Sequence, residues 1–280
     1  MLAKSSCPNC QPLLSGFTDV PITLHPDSLL GIGQPLEAEG TLGNNVLAAA
    51  REGLRLCYDL FGRMNDAERD LQAIADPARR RQHPAERGGR TEYSDNVRMK
   101  NGRPTRVVDA EEFIVAAEKA FARVSPAIDR RLKELNGYRD TLETRVATAL
   151  DHPARKTAEG LALAAEVRAH IKGLKKDEDR ARFVASAVEA GDIPTVAAVL
   201  HAQPFLSGLA PAEHARLRAR AAAKFAPVDS AQLEATEAAI EHVSASGSRL
   251  VGRFGEIVAL RNAPAAKAAL SIKALEGAGR

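Results

Sequence analysis

The chain has 280 residues, of which 45% are hydrophobic and only 4% aromatic, with no tryptophan and a formal net charge of +3. Because aromatic side chains bury the most surface, the core must consist mainly of Leu, Ile, Val and Ala, which suits closely packed helices. Three cysteines are too few for a disulfide framework, and a nearly neutral charge selects no class of partner.

The compartment is predicted from what the chain lacks. The first 18 residues carry one basic residue and no continuous apolar stretch, so we expect no secretory signal. The longest uncharged run, residues 193–212, contains three prolines and is not expected to span a membrane. The sequence therefore predicts a cytoplasmic protein or a component of a virion.

Residues 1–43 are predicted to form an extended arm. Five prolines and five glycines recur there without helical or strand periodicity, and proline removes a hydrogen-bond donor and blocks helix. The segment is nevertheless rich in large aliphatic residues, which a free linker would not carry. We expect the arm to lie on its own body or on a neighbouring subunit.

A long first helix is predicted from Asn44 or Asn45, both good caps, to a point before Pro77. Its apolar residues follow alternating steps of three and four, which places them on one helical face. They are Leu47, Ala50, Leu54, Cys57, Phe61, Met64 and Leu71. We expect this face to be buried against the other long helices.

Residues 77–106 form a basic loop, with nine basic and three acidic residues and therefore a net charge of +6. Asn101 and Gly102 make a hairpin-type turn signal, and Pro104 would confine a second strand to a sheet edge. A short hairpin is therefore expected within the loop. The basic residues, which are the candidate contact residues of the chain, are Arg79, Arg80, Arg81, Arg87, Arg90, Arg98, Lys100, Arg103 and Arg106.

Two kinds of partner suit this basic loop. Its arginines can neutralise nucleic-acid phosphates, but Tyr93 is the only aromatic residue among them, so a base-stacking surface is poorly supplied. No recognition-helix motif precedes the loop. Docking on acidic helical faces of a neighbouring subunit is the alternative that we favour.

Helices fill the rest of the chain. A second long helix is predicted over 109–150, with Pro126 expected to kink or restart it. Shorter helices follow at 156–174, 177–189, 194–201 and 211–225, and a last long helix begins near Asp229 or Ser230. Gly191 is expected to end one helix and Asp192 to cap the next.

Catalytic and metal-binding motifs are weak. Cys7 and Cys10 enclose two residues, as in half of a zinc knuckle, but the other half is missing and free thiols are the favoured interpretation. Cys57 lies on an apolar stripe, where cysteine behaves as a small hydrophobe. We expect no catalytic residue, no cofactor and no resident metal, and hence no enzyme. An enzyme whose groups converge only in three dimensions stays open.

One stretch carries a resemblance. It comprises Arg-Ala-Arg-Phe-Val at 180–184, Gly-Asp-Ile-Pro-Thr-Val-Ala-Ala-Val-Leu at 191–200, and Pro-Phe-Leu-Ser-Gly-Leu at 204–209. It resembles uncharacterised helical proteins encoded in the structural regions of tailed bacteriophages and prophages. The resemblance implies a structural role and brings no functional residues with it.

The sequence thus predicts an all-α protein, an elongated helical bundle with the N-terminal arm and the basic loop. Its predicted segments are 1–43, 44–150 and 151–280. The predicted function is structural, as a subunit of a multi-chain complex of the bacteriophage virion or connector type, with other copies of itself as the expected partner. The alternative is a nucleic-acid-binding accessory or regulatory protein that acts through residues 77–106.

Overall fold

The computed structural model describes residues 20–37, 40–75, 97–100, 103–106 and 110–262. Most of these residues are helical, which confirms the all-α class, and the described helices include none long and apolar enough to cross a membrane. Two short strands and single 3-10 turns at Ile22–Leu24, Pro26–Leu29, Pro153–Lys156 and Leu260–Asn262 complete the described structure. The α-helices and strands are α1 Gln34–Glu37, α2 Gly40–Ala75, β1 Val97–Lys100, β2 Arg103–Arg106, α3 Ala110–Ala149, α4 Ala158–Gly173, α5 Asp177–Ala190, α6 Ile193–Leu200, α7 Pro204–Ser207, α8 Pro211–Phe225 and α9 Pro227–Ala259.

The chain divides into two compact units, and the divisions fall after Ser28 and inside α2, α3 and α9. The first unit contains the described residues within Met1–Ser28, Arg51–Leu132 and His242–Arg280. The second contains Leu29–Ala50 and Lys133–Glu241. The division of the chain into the segments 1–43, 44–150 and 151–280 stays a prediction.

The core of the first unit lies among α2, α3 and α9. The predicted apolar face of α2 is confirmed as buried at Leu54, Cys57 and Met64, whereas Phe61 and Leu71 are only partly buried at its edge. Aromatic residues also belong to this core, and the rings of Phe121 and Phe254 stack with centroids 4.3 Å apart. The buried members of this cluster are Leu24, Cys57, Tyr58, Leu60, Met64, Phe113, Ile114, Ala117, Ile128, Leu250 and Ile257.

The second unit has its own core, built almost entirely from aliphatic side chains of the shorter helices. The end of α3 and the helices α4, α5, α6 and α8 each contribute to it. Its buried members are Val146, Leu150, Ile171, Val184, Val188, Val196, Val199, Leu200, Leu209, Leu217, Ala221, Ala222 and Ala226. The compositional expectation of a core without many aromatics is met here.

The predicted arm differs from extended chain over its described part. Residues 20–37 form two 3-10 turns and α1, and α2 begins at Gly40, before the predicted caps. Pro26 is the first residue of a 3-10 turn and Pro35 the second residue of α1, where a missing N–H costs nothing. Residues 1–19 lie outside the described structure. The prolines therefore mark the starts of short helical turns.

This segment also contributes to the interior of the protein. Leu24, Leu29 and Leu36 are almost fully buried. A side chain at Gly43 would overlap the backbone of Leu36, so α1 lies directly against the start of α2. Removal of residues 1–43 would therefore take away buried core residues.

The second long helix runs without a break through Pro126, so the predicted restart does not occur. Proline at this position leaves the carbonyl of Ala122 without its helical donor. Both Ala122 and Pro126 are exposed, so water can satisfy that carbonyl. Buried side chains such as Ile114 and Leu135, on either side of the proline, anchor both halves of the helix.

Replacement of Leu54, which is fully buried on α2, should lower the free energy of unfolding. We expect Leu54→Ala to cost about 2–5 kcal/mol, because truncation of a buried leucine loses transfer free energy and leaves a cavity. Urea denaturation followed by helical circular dichroism measures the difference. Val251→Ala is the control, since Val251 is 56% exposed on α9 and should shift stability by no more than about 0.5 kcal/mol. Equal shifts would contradict the burial of Leu54.

Candidate functional site

Several residues singled out from the sequence lie outside the described structure. These are Cys7, Cys10, Arg79, Arg80, Arg81, Arg87 and Arg90. The remaining four basic contact residues, Arg98, Lys100, Arg103 and Arg106, occupy the two strands of the basic loop. The hairpin expected in this loop is therefore present.

The strands β1 and β2 pair antiparallel in a defined register. Lys100 is the direct partner of Arg103, Arg98 of Thr105, and Val97 of Arg106. Pro104 pairs with Met99 and lies in a two-stranded sheet, so it occupies an edge strand, as the sequence predicted.

Cys57 is a structural thiol. It is completely buried in the first core, and this burial raises the pKa of its thiol to about 12. The thiolate is the nucleophilic and metal-binding form of cysteine, and it is not populated near neutral pH at such a pKa. Within the described residues, no group of three or more His, Cys, Asp or Glu side chains is placed to hold a metal ion.

Ser28 and His242 form a pair that the sequence did not suggest. The Ser28 hydroxyl lies 2.7 Å from Nε2 of His242 and 2.6 Å from the carbonyl oxygen of His25. A serine beside a histidine is the arrangement in which an imidazole can activate a nucleophile. The hydrogen-bond roles of the two side chains decide whether it does so here.

The serine has one proton to donate. Two oxygens 2.6 Å apart require a hydrogen between them, so Ser28 donates to the carbonyl of His25. His242 must then donate its Nε2 proton to Ser28 Oγ. In this arrangement the imidazole is a donor and not a base, so the pair does not generate a nucleophile. It joins the 3-10 turn Pro26–Leu29 to α9.

The side chain of His25 has a structural role in the same turn. The Nδ1 atom of His25 accepts a hydrogen bond from the backbone N–H of Asp27 at 3.1 Å, so neutral His25 carries its proton on Nε2. Its ring contacts Tyr58 edge-on, with centroids 5.1 Å apart. Together these contacts hold the N-terminal turns against α2 and α9.

Two arginines, one on α9 and one in the turn that follows it, bind side chains of the same chain. Arg253 donates to Asn65 at 2.8 Å and to Glu256 at 2.9 Å, and it forms an ion pair with Glu68. Arg261 donates to Glu118 at 3.0 Å and to Glu111 at 3.2 Å, which ties the turn after α9 to the start of α3. Both guanidinium groups are therefore already engaged by carboxylates of the same chain.

Exposed apolar surface is concentrated in the second unit. Of the nine large hydrophobic side chains that are exposed within the described residues, seven belong to this unit. Phe205 is 67% exposed and its neighbour Leu206 is 41% exposed, both on the single turn of α7. Contiguous exposed apolar residues often mark interaction surfaces. We call Phe205 and Leu206 the α7 knob.

The backbone that carries the α7 knob is firmly held. Pro204 begins the turn, and the fully buried Ser207 donates its hydroxyl to the carbonyl of Pro204 at 3.1 Å. Gly208 ends the turn with φ of 70°, a left-handed conformation that glycine adopts without strain. The knob is therefore exposed without being loose.

Arg180 is the residue that joins α7 to its surroundings. Its side chain is 19% exposed. It donates to the carbonyl of Gly208 at 3.0 Å, and to that of Leu174 at 3.0 and 2.8 Å through two nitrogens. A guanidinium placed at the last carbonyls of α4 also complements the negative end of that helix. An ion pair with Asp177 at 2.6 Å further restrains the orientation of the Arg180 guanidinium group.

A groove between α4 and α6 lies in the same unit. Its volume is about 230 Å³, and Leu163, Val167, Pro194 and Ala198 contribute to its mainly apolar lining. Small-molecule sites usually enclose roughly 300–1,000 Å³, so this groove suits a single side chain better than a whole ligand. Leu163, at 54% exposed, is one of its most accessible members.

Sequence reasoning missed the α7 knob and the role of Arg180. Both lie in the stretch singled out for its resemblance, yet nothing marked them as a site. A usable signal was present: Pro204 and Gly208 bracket a single helical turn that contains two large apolar residues. The carbonyls of Leu174 and Gly208 that Arg180 binds are 6 and 28 residues away, and no local pattern identifies them.

Cys57 should resist alkylation in the folded protein. At about pH 8 a thiol with a pKa of about 12 is almost fully protonated, and only the thiolate reacts. Iodoacetamide treatment with peptide mass mapping should leave Cys57 unmodified in the folded state and modify it after unfolding in urea. Fast modification in the folded state would contradict its burial.

Replacement of Arg180 by lysine should loosen α7. An ammonium group cannot reproduce the planar fork that serves several carbonyls, and loss of hydrogen bonds from a charged group typically costs about 1–3 kcal/mol. We expect Arg180→Lys to speed amide hydrogen exchange at residues 204–209 and to lower stability by about this amount. Arg182→Lys is the matched control, because Arg182 is an exposed neighbour that, among the described residues, pairs only with Asp179 at 3.5 Å. The same exchange rates in both variants would contradict the role given to Arg180.

No protein-family model, no curated protein and no solved structure matches this chain. The resemblance of residues 180–209 to proteins of phage structural regions therefore stays a prediction.

Proposed function

We propose that this protein is a structural subunit of a multi-chain assembly whose principal partners are other copies of the same chain. The observation that carries this proposal is the α7 knob, two large apolar side chains exposed on a backbone that Arg180 and Ser207 hold in place. An assembly of the bacteriophage virion or connector type is the setting that the resemblance implies.

The rigidity of the knob supports a binding role. Association costs free energy for every side chain and segment that it must order. A knob whose backbone is already fixed avoids much of that cost. Interface hot spots are commonly aromatic residues that enter a desolvated pocket on the partner, and Phe205 suits that role.

The groove between α4 and α6 supports a head-to-tail contact between copies. One molecule offers an apolar projection, and a different part of the same unit offers an apolar depression of about 230 Å³. A knob on one copy that enters the groove of the next is a heterologous contact, and such contacts generate rings or filaments. Both are common forms of structural assemblies.

The distribution of polar groups is consistent with a structural role. Ser28 and His242 are joined in a donor arrangement, Cys57 is protonated and buried, and Arg253 and Arg261 are paired with carboxylates. Each of these groups stabilises the fold. The described residues thus offer interaction surface more readily than chemistry.

The knob can be tested by the variant Phe205→Ser with Leu206→Ser. We expect the parent to show a mass above that of one chain by light scattering and the variant to show the mass of a monomer, because the apolar contact is lost. Val251→Ser is the control, since it removes an exposed apolar side chain of the first unit and should keep the parent's mass. A knob variant with the parent's mass would refute the proposed contact.

The head-to-tail arrangement has a second test. Leu163→Glu should abolish assembly from the groove side, because a carboxylate in an apolar contact is costly to desolvate. When the knob variant and the groove variant are mixed, each retains one intact surface. We therefore expect a dimer that contains one copy of each and no larger species. A mixture that stays monomeric would contradict a knob-in-groove contact.

A further inference from the structure

The basic hairpin is a second candidate contact region, separate in sequence from the α7 knob. Its eight strand residues, Val97–Lys100 and Arg103–Arg106, include four basic residues and no acidic residue. A two-stranded hairpin on its own is only marginally stable in water. Repulsion among its basic residues therefore strongly affects the stability of the hairpin.

The register places like charges against each other. Lys100 is directly opposite Arg103, and no basic residue of either strand has an acidic partner across the ladder. Like charges in directly opposed positions destabilise an antiparallel pair. An anion that neutralises them would stabilise the hairpin and bind to it in the same step.

We propose that this hairpin binds duplex nucleic acid through the backbone phosphates. The major groove of B-DNA is wide enough to admit a two-stranded ribbon. Strands of four residues span about 13 Å, and a duplex of that length carries roughly eight phosphate charges. A duplex of that length therefore carries enough phosphate charge to neutralise four basic residues.

The small number of aromatic residues does not count against this mode of binding. Stacking aromatics are needed for binding single strands, whereas phosphate contacts position a protein on a duplex without reading its sequence. The binding is therefore expected to be independent of sequence. The ribbon is the observation that favours a duplex over the protein partner expected from the loop's composition alone.

A second copy of this chain is a poorer anionic partner for the hairpin. Many of its described carboxylates are already paired with arginines of their own chain, as Glu68 is with Arg253, Glu189 with Arg220 and Glu213 with Arg216. Phosphates of a duplex are instead regularly spaced and neutralised only by mobile counterions. Release of those counterions favours binding.

The experiment measures binding of the full chain to a fluorescent duplex of about 20 base pairs by anisotropy, at salt concentrations from about 50 to 200 mM. We expect the logarithm of the association constant to fall linearly with the logarithm of salt concentration, with a slope of about −4 if all four basic residues meet phosphates. Lys100→Gln with Arg103→Gln should reduce that slope by about two. A single-stranded probe of the same length should bind more weakly.

Two further variants make the result specific. Arg98→Gln with Arg106→Gln removes two charges that are not opposed to each other, and it should also reduce the slope by about two. Arg182→Gln makes the same kind of change on α5, outside the hairpin, and should leave affinity and slope as in the parent. Circular dichroism checks that every variant keeps the parent's helix content.

Three outcomes would overturn the proposal: no duplex binding by the parent at about 50 mM salt, an unchanged slope in both hairpin variants, or loss of assembly mass in those variants without any duplex binding by the parent. The last result would assign the hairpin to an acidic protein partner. The variant Phe205→Ser with Leu206→Ser should retain the parent's slope. Duplex binding and self-assembly can therefore fail independently.

Discussion

Three long helices meet closely at Gly53, and the first unit depends on that approach. A Cβ atom at this position of α2 would lie 3.0 Å from a methyl group of Val243 on α9 and 3.7 Å from the Cβ of Arg131 on α3. Interiors are packed too densely to absorb an added methyl group without displacement. A chain so poor in aromatic residues gains its contacts by bringing helices together, and glycine at the crossing permits this.

The parts of the fold that sequence reasoning anticipated are those with local determinants. Asp192 caps α6 by accepting a hydrogen bond from the N–H of Thr195 at 3.1 Å, and Gly191 ends α5 with φ of 76°. The bounds of α8 at Pro211 and Phe225 match the predicted ones. In each case a residue and its partner lie within one helical turn, so the sequence contains the whole interaction.

The parts that were not anticipated depend on contacts between distant residues. Ser28 and His242 are 214 positions apart, and no periodicity relates them. The prolines of the N-terminal segment suggested extended chain because proline disfavours helix interiors, yet at the first position of a short turn it is well tolerated. The basic composition of residues 77–106 predicted a contact region at the hairpin. The exposure of Phe205, by contrast, depends on how the surrounding helices pack.

The backbone around Phe205 has a consequence for proteolysis. An exposed aromatic residue between a proline and a glycine has the side chain that chymotrypsin-like proteases select. Proteases cleave exposed segments where the backbone hydrogen bonds can open locally. The peptide bond after Phe205 makes two backbone hydrogen bonds: the N–H of Leu206 donates to the carbonyl of Gln203, and the carbonyl of Phe205 accepts from the N–H of Gly208, whose own carbonyl accepts from Arg180. The Phe205 side chain is thus accessible to a protease, whereas the peptide bond that follows it is held by hydrogen bonds. Cleavage after Phe205 would therefore indicate that Arg180 has let go of the carbonyl of Gly208.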